Sequence, residues 1–354
     1  MNNKIKIVYF LATLNMGGAE RVTVNFIRKL DKDEYDIFLV LVDKRGELLS
    51  LIPEHVTIID LKSKRTLFSL FKLRKILKFI EPNVVYSTLF RTHIALYFSY
   101  IGIKKRAKIV LRSPTSPKTL LQRDELNWFN KKLITYAYQS ANTIIAQTPE
   151  MKEEISYFHN VDLDKIEVLL NPLDRALIDE SIKEGENPFD EKDINVVTAG
   201  RLSTVKGFDI LLCAFAEVLS SNKKFFLHII GRDAGEEAFL KELSHQLNIS
   251  HRVKFWGFQK NPYLFFYYSQ LHVLSSRREG LPNTVLENLY LNRPIVATRC
   301  ISFMETLIEN GKNGLIVDVE NAEMLGEAIL SYSTLKSENI EYKENLEQIK
   351  KIFR

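Results

Sequence analysis

A chain of 354 residues with 45% hydrophobic and 26% charged side chains has room for two globular cores and the composition of neither a fibrous nor a disordered protein. Its two cysteines, Cys213 and Cys300, fit no C-x-x-C spacing, which argues against a disulfide framework or a structural zinc site and predicts a reduced, cytoplasmic protein. The formal charge of +5 is uneven: residues 61 to 123 hold fifteen Lys or Arg against one acid, Glu81, a local +14 that leaves −9 for the rest and predicts a face that meets something anionic, a phospholipid surface or a phosphate-bearing acceptor.

Along the chain, Lys4 to Leu11 has the charge and apolarity of a signal peptide, but no small-residue cleavage site follows, and the run passes into Gly17-Gly18 and a helical pattern as a buried first strand does. Strand-like runs then recur near Tyr35 to Val42, Val56 to Asp60, Val84 to Ser87, Lys108 to Arg112, Thr143 to Ala146 and Ile166 to Leu170, with helical patterns between them. The apolar run Ile94 to Ile103 is about half of what a bilayer needs, so no segment is expected to span one. Residues 174–193 are polar, contain Gly185 and Pro188, and read as a linker. A second alternating set follows, with strands near Asn195 to Ala199, Phe225 to Ile230, Val253 to Trp256, Leu271 to Leu274, Pro294 to Thr298 and Gly314 to Asp318. The expected division is 1–173 as a first doubly wound domain, 174–193 as linker, 194–335 as a second, and 336–354 as a closing helix whose stripe of Leu346, Ile349 and Ile352 packs back on the first. Ligands of open α/β sheets lie beyond the carboxyl ends of the strands, so two Rossmann-like domains facing each other predict one deep cleft.

Three motifs sit where strands give way to helices. Gly17-Gly18-Ala19-Glu20-Arg21 lets backbone approach a phosphate at a helix start, or forms a tight turn with no ligand. Gly200-Arg201-Leu202 with Lys206-Gly207-Phe208 places two cations five residues apart on one loop; both can reach a single diphosphate, or both are ordinary surface charges. Glu279-Gly280-Leu281-Pro282-Asn283-Thr284 opens a helix toward a ligand, with Glu287 about a turn inside it. Thr284 and Glu287 also have the spacing of a capping box.

In order and spacing this set resembles the retaining glycosyltransferases of the GT-B fold, family 4, over about residues 5 to 330. The resemblance implies that Glu279, Arg201 and Lys206 are catalytic, Glu279 toward the transferred sugar and the two cations toward the donor diphosphate, with Glu287 at the ribose. It implies further donor contacts from Gly17, Gly18, Gly200, Gly231, Phe258, Gly280, Leu281, Pro282, Asn283 and Thr284. Trp256 and Phe258 are equally readable as core aromatics. Many relatives carry a histidine after the fifth strand; Arg112-Ser113-Pro114 stands there instead, leaving Arg112 and His93 as candidates for the acceptor or sugar side. Cys300 to Glu305 departs from the Gly-Pro usual before that glutamate, which leaves the sugar open.

The expected activity is therefore transfer of a hexose or N-acetylhexosamine from a UDP-sugar to a glycan acceptor, lipid-linked, with retention and without metal. Asp31-Lys32-Asp33 and Asp162-Leu163-Asp164 have D-x-D spacing but belong to no nucleotide loop. Residues 62 to 80 read as a basic amphipathic helix with Leu70, Leu73, Leu77 and Ile80 in one stripe, either packed on a sheet or docked on an anionic membrane together with Lys104, Lys105, Arg106 and Arg123. A nucleotide-sugar epimerase, a phosphorylase and a noncatalytic sugar-nucleotide-binding subunit are the competing readings; no motif supports nucleic-acid binding.

Overall fold

The computed structural model describes residues 4–103, 106–121, 127–335 and 345–354. They form two compact units, residues 1–173 with 344–354 and residues 174–343.

Among the described residues the first unit has seven parallel strands, β1 (Ile5–Leu11), β2 (Tyr35–Leu41), β3 (Thr57–Asp60), β4 (Val84–Thr88), β5 (Lys108–Arg112), β6 (Thr143–Ala146) and β7 (Ile166–Val168), in the order β3-β2-β1-β4-β5-β6-β7. Its helices are α1 (Gly18–Lys29), α2 (Leu70–Ile80), α3 (Phe90–Tyr100), α4 (Pro117–Leu121), α5 (Trp128–Ser140) and α6 (Pro149–His159). The central strands are apolar on both faces because helices cover both. From β1, Ile7, Tyr9 and Leu11 point into a core shared with α1, while Val8 and Phe10 point into one shared with α2, α3, α5 and α6. The apolar stripe of α2 is committed to that second core, with Leu73, Leu77 and Ile80 buried. It is a packing face, not a membrane face.

The second unit opens with α7 (Arg175–Lys183) and then sets β8 (Ile194–Ala199), β9 (Phe225–Ile230), β10 (Val253–Gly257), β11 (Leu271–Leu274), β12 (Ile295–Thr298) and β13 (Gly314–Val317) in the order β10-β9-β8-β11-β12-β13. Between them run α8 (Phe208–Ser221), α9 (Glu237–Gln246), α10 (Tyr263–Tyr268), α11 (Asn283–Tyr290), α12 (Met304–Leu307) and α13 (Ala322–Leu330). The polar stretch 174–193 is not a bare linker. Asp174 caps α7 by accepting from the Leu177 amide at 3.1 Å, Ile178 is buried with Val197, Tyr263 and Phe265, and Ile182 and Phe189 pack against the same cluster, so a cap and a few apolar residues dock the segment on the second unit.

The last helix, α14 (Leu346–Phe353), returns to the first unit. Asn345 caps it, and Ile349, Ile352 and Phe353 complete the α1-side core, the Phe353 ring lying 5.6 Å from Tyr9 and 5.8 Å from Phe26. The expected start of this helix near Glu338 lies outside the described residues.

In both sheets the strand order reverses at one point, between β1 and β4 and between β8 and β11. The loops that leave those strands are where a doubly wound sheet accepts a ligand.

Candidate active site

In the second unit the two motifs flank the reversal: the Gly200 to Gly207 loop leaves β8, and the segment from Ser275 to Pro282 leaves β11. Backbone proximity shapes this edge. Gly231 abuts the Gly200 carbonyl so closely that a Cβ would lie 1.7 Å from it, and Gly207, at φ +63°, would place a Cβ 2.1 Å from the Ser275 carbonyl. The stem of Lys206 lies over Gly200, its Cε 3.1 Å from where a Cβ would stand.

Lys206 Nζ then donates to Glu279 Oε1 at 2.5 Å, joining residues 73 positions apart, and Ser276 Oγ donates to the same oxygen at 2.7 Å. Both ends of this pair keep some access to solvent, 22% for Lys206 and 14% for Glu279. A ligand can reach both. Arg201 stands exposed on the same loop.

The loop is braced by a residue that no sequence motif singles out. Arg277 grips Asp209 with two prongs, at 2.8 and 2.7 Å, and also bonds Glu320 and the Thr204 carbonyl, while its amide donates to the Val205 carbonyl at 2.8 Å. Ser275 Oγ adds a bond to the Lys206 carbonyl at 3.0 Å. The hydrogen bonds from Arg277 to Asp209 and Glu320 raise the guanidinium's pKa; burial raises that of Asp209, but Arg277 outweighs it and holds the carboxyl below its usual range. The turn carrying Lys206 is thus fastened to the segment after β11 that carries Glu279. Cys300 borders the pair. Burial, then the Glu279 carboxylate, pushes its thiol up to about 12, so it stays neutral.

Gly280 to Thr284 lead from that loop into α11, whose preceding residue, Pro282, supplies no side-chain acceptor to its first turn. The helix opens at Asn283, two residues too early for a box between Thr284 and Glu287. Glu287 lies in the second turn, 6% exposed, and accepts from Tyr263 Oη at 3.4 Å. It faces inward beside Tyr263. Trp256 is half-buried against the core: its Nε1 donates to His228 at 3.0 Å, and its ring meets Phe265. Phe258 lies under the Arg232 guanidinium at 5.3 Å.

In the first unit Gly17 precedes α1 and Gly18 begins it, and the Glu20 carboxylate folds back over Gly17, where a Cβ would lie 2.3 Å from it. The two acceptor-side candidates are buried side chains. Arg112, 2% exposed, donates from Nη2 to Asn171 Oδ1 at 2.6 Å and lies near the Tyr86 hydroxyl and Glu20, with burial lowering its pKa. His93, 1% exposed, donates from Nε2 to the Ser87 carbonyl at 3.2 Å and packs edge-on against Tyr138. Burial drives it down to about 3, a neutral core imidazole. Among the described residues, Arg112 Nε and Nη1 and His93 Nδ1 are buried without a hydrogen-bond partner. The Ser113 loop is pinned from beneath by Tyr138 Oη at 2.9 Å and Gln147 Nε2 at 2.9 Å. The aspartates of the first D-x-D sit in the turn before β2, where Asp31 accepts from the Asp33 amide; those of the second flank the short turn before β7. Among the described residues no three His, Cys, Asp or Glu side chains cluster as a metal site, and no helix is long and apolar enough to cross a membrane.

Comparison with known proteins gives the family. Residues 16–177 match the family model described as Glycosyltransferase Family 4, and residues 179–351 the one described as Glycosyl transferases group 1. A Campylobacter jejuni N-acetylgalactosamine-N,N'-diacetylbacillosaminyl-diphospho-undecaprenol 4-alpha-N-acetylgalactosaminyltransferase is 26% identical over 331 residues, 89% of this chain and 87% of its own. A second Campylobacter jejuni enzyme, an alpha-1,4-N-acetyl-D-galactosaminyltransferase acting on GalNAc-alpha-(1->4)-GalNAc-alpha-(1->3)-diNAcBac-PP-undecaprenol, is 25% identical over 334 residues, 90% of this chain and 86% of its own. The Anabaena protein HepE, solved with UDP-glucose, superposes with a TM-score of 0.81 at 19% identity, over 99% of this chain and 98% of that one, and so shares the fold. With its first half fitting one model and its second half the other, the chain belongs to the glycosyltransferases of family 4 and group 1 and has their GT-B architecture of two Rossmann-like domains.

Proposed function

We propose that the chain moves a hexose or N-acetylhexosamine from a UDP-sugar onto a lipid-linked glycan, with retention at the anomeric carbon and without a metal ion. The observation that carries this reading is the Lys206 to Glu279 contact at the reversal of the second sheet, with Arg201 exposed on the same loop. Arg201 and Lys206 supply positive charge to the donor diphosphate, and the carboxylate of Glu279 accepts from sugar hydroxyls while holding Lys206 beside the leaving group. The bond from the anomeric carbon to the diphosphate oxygen breaks, the acceptor oxygen bonds to the same face of the sugar, and its proton leaves on the departing phosphate. One preorganised donor aimed at such charge is worth about 3 kcal/mol of barrier, which is why two cations here suffice without a divalent ion.

UDP is favoured by the donor in the HepE complex, and the acceptor class by the undecaprenol-linked glycans in the relatives' names. Such acceptors set the reaction at the inner face of a membrane. Thermal shift against a panel of UDP- and GDP-sugars, followed by mass spectrometry of a polyprenyl-diphosphate oligosaccharide incubated with the best of them, tests the reading. A mass increase of one sugar that persists in EDTA, with the donor's anomeric configuration kept in the product's NMR couplings, is the expected result. Donor consumed without acceptor, to give an isomeric nucleotide sugar, refutes it in favour of an epimerase.

A further inference from the structure

The sheet-facing stripe of α2 accounts for the packing of that helix, yet its opposite face is not polar. Phe71 and Phe79 are 81% and 86% exposed, and Phe68, in the turn leading into the helix, is 67% exposed. Phe71 and Phe79 are eight residues apart, two turns or about 12 Å along one face, with Lys75 between them and Lys78 alongside, both exposed. The fold gains nothing from these rings, since the core beneath is filled by Leu73, Leu77 and Ile80. The face is also held firm. Arg74 donates to the Ser99 carbonyl at 3.1 Å and to the Ile101 carbonyl, tying α2 to the end of α3, and Lys72 donates to the Leu61 carbonyl at 2.7 Å.

We propose that this outer face of α2 docks on an anionic phospholipid surface, with Phe68, Phe71 and Phe79 entering the interfacial layer and Lys75 and Lys78 meeting the headgroups. Charge selects this occupant over a protein. The surrounding stretch carries a net +14, and lysines interleaved with phenylalanines suit an anionic lipid interface, whereas the cores of protein interfaces are depleted in lysine. The proposal extends the lipid-linked acceptor reading above, but it stands on exposed rings that reading does not need.

The test sediments the full chain with vesicles of phosphatidylcholine alone or mixed with phosphatidylglycerol, at low and high salt. Binding is expected to the mixed vesicles. The double variant Phe71→Ser, Phe79→Ser should lower the partition about a hundredfold, roughly tenfold per ring, with the melting transition and the UDP-sugar shift unchanged. Lys75→Glu with Lys78→Glu should abolish the preference for anionic lipid. Equal sedimentation of the double phenylalanine variant and the parent overturns the proposal. So does a dimer in light scattering that the same variant dissolves, because a second copy then owns the face. A chain that shifts with a UDP-sugar but ignores anionic vesicles sinks the docking face and spares the transferase reading; one that binds vesicles through these rings yet ignores every nucleotide sugar upholds the face and sinks the transferase reading.

Discussion

The two sheets take the same course through their centres, β2-β1-β4-β5 in the first unit and β9-β8-β11-β12 in the second, yet they place charge differently. At the carboxyl edge of the second, Lys206 and Glu279 stand partly open to solvent and Arg277 braces them. At the same edge of the first, Arg112 is buried and bonded to Asn171, and cations instead crowd the outside of α2. Topology therefore fixes where a ligand edge lies, while burial decides whether the charge there can be spent on a ligand. In the proposed reaction the second unit offers its charge to a diphosphate. The first uses its charge to order its own core and its outer surface.

The largest effect should separate stability from chemistry. Phe353→Ala removes a fully buried ring from the α1-side core and should cost about 3 to 5 kcal/mol, seen in calorimetry as an earlier transition of the first unit alone. A shift of both transitions would break the assignment of α14 to that unit. Lys206→Ala should leave both transitions in place and lower kcat about a hundredfold, roughly 3 kcal/mol of barrier. Unchanged turnover would show that the second edge offers nothing to the reaction.

Acid stability measures what the comparison leaves equal. Burial lowers His93 to about 3 in the first unit and His228 and His272 to about 3 in the second. Each unfolded imidazole takes a proton below about 6.5, while its folded counterpart waits until about 3, so stability falls as pH drops through that window and gains nothing above it. At about pH 5.5 His93 alone should cost about 1.4 kcal/mol. Denaturant melts of His93→Gln should show a shallower fall between about pH 7 and pH 5 than the parent. The smallest effect concerns the brace: Arg277→Lys keeps the charge but loses the two-pronged grip on Asp209, and should raise the donor KM about fivefold, roughly 1 kcal/mol, with kcat little changed. A normal KM would mean the Lys206 loop needs no fastening.

Strands were legible because strands buried on both faces leave unbroken apolar runs; Lys108 to Arg112 is read in the sequence and built in the structure with the same ends. The loops around the second reversal were legible because glycines and cations there do local work. Arg277 was not, because its partners Asp209 and Glu320 lie 68 and 43 residues away, and only folding brings them together. Residues 174–193 read as a linker because their polarity outweighed one cap and three scattered apolar residues, Ile178, Ile182 and Phe189. On α2 the inward stripe was easy to see, and the same periodicity drew attention away from Phe71 and Phe79 on the other side.

The return of α14 has a consequence for synthesis. The first unit's core stays open at Tyr9 and Phe26 until residues 346–353 emerge from the ribosome, after every residue of the second unit has already been made. The half of the molecule translated first is therefore the half that matures last, and a nascent chain halted before α14 carries an uncovered aromatic floor for chaperones to guard.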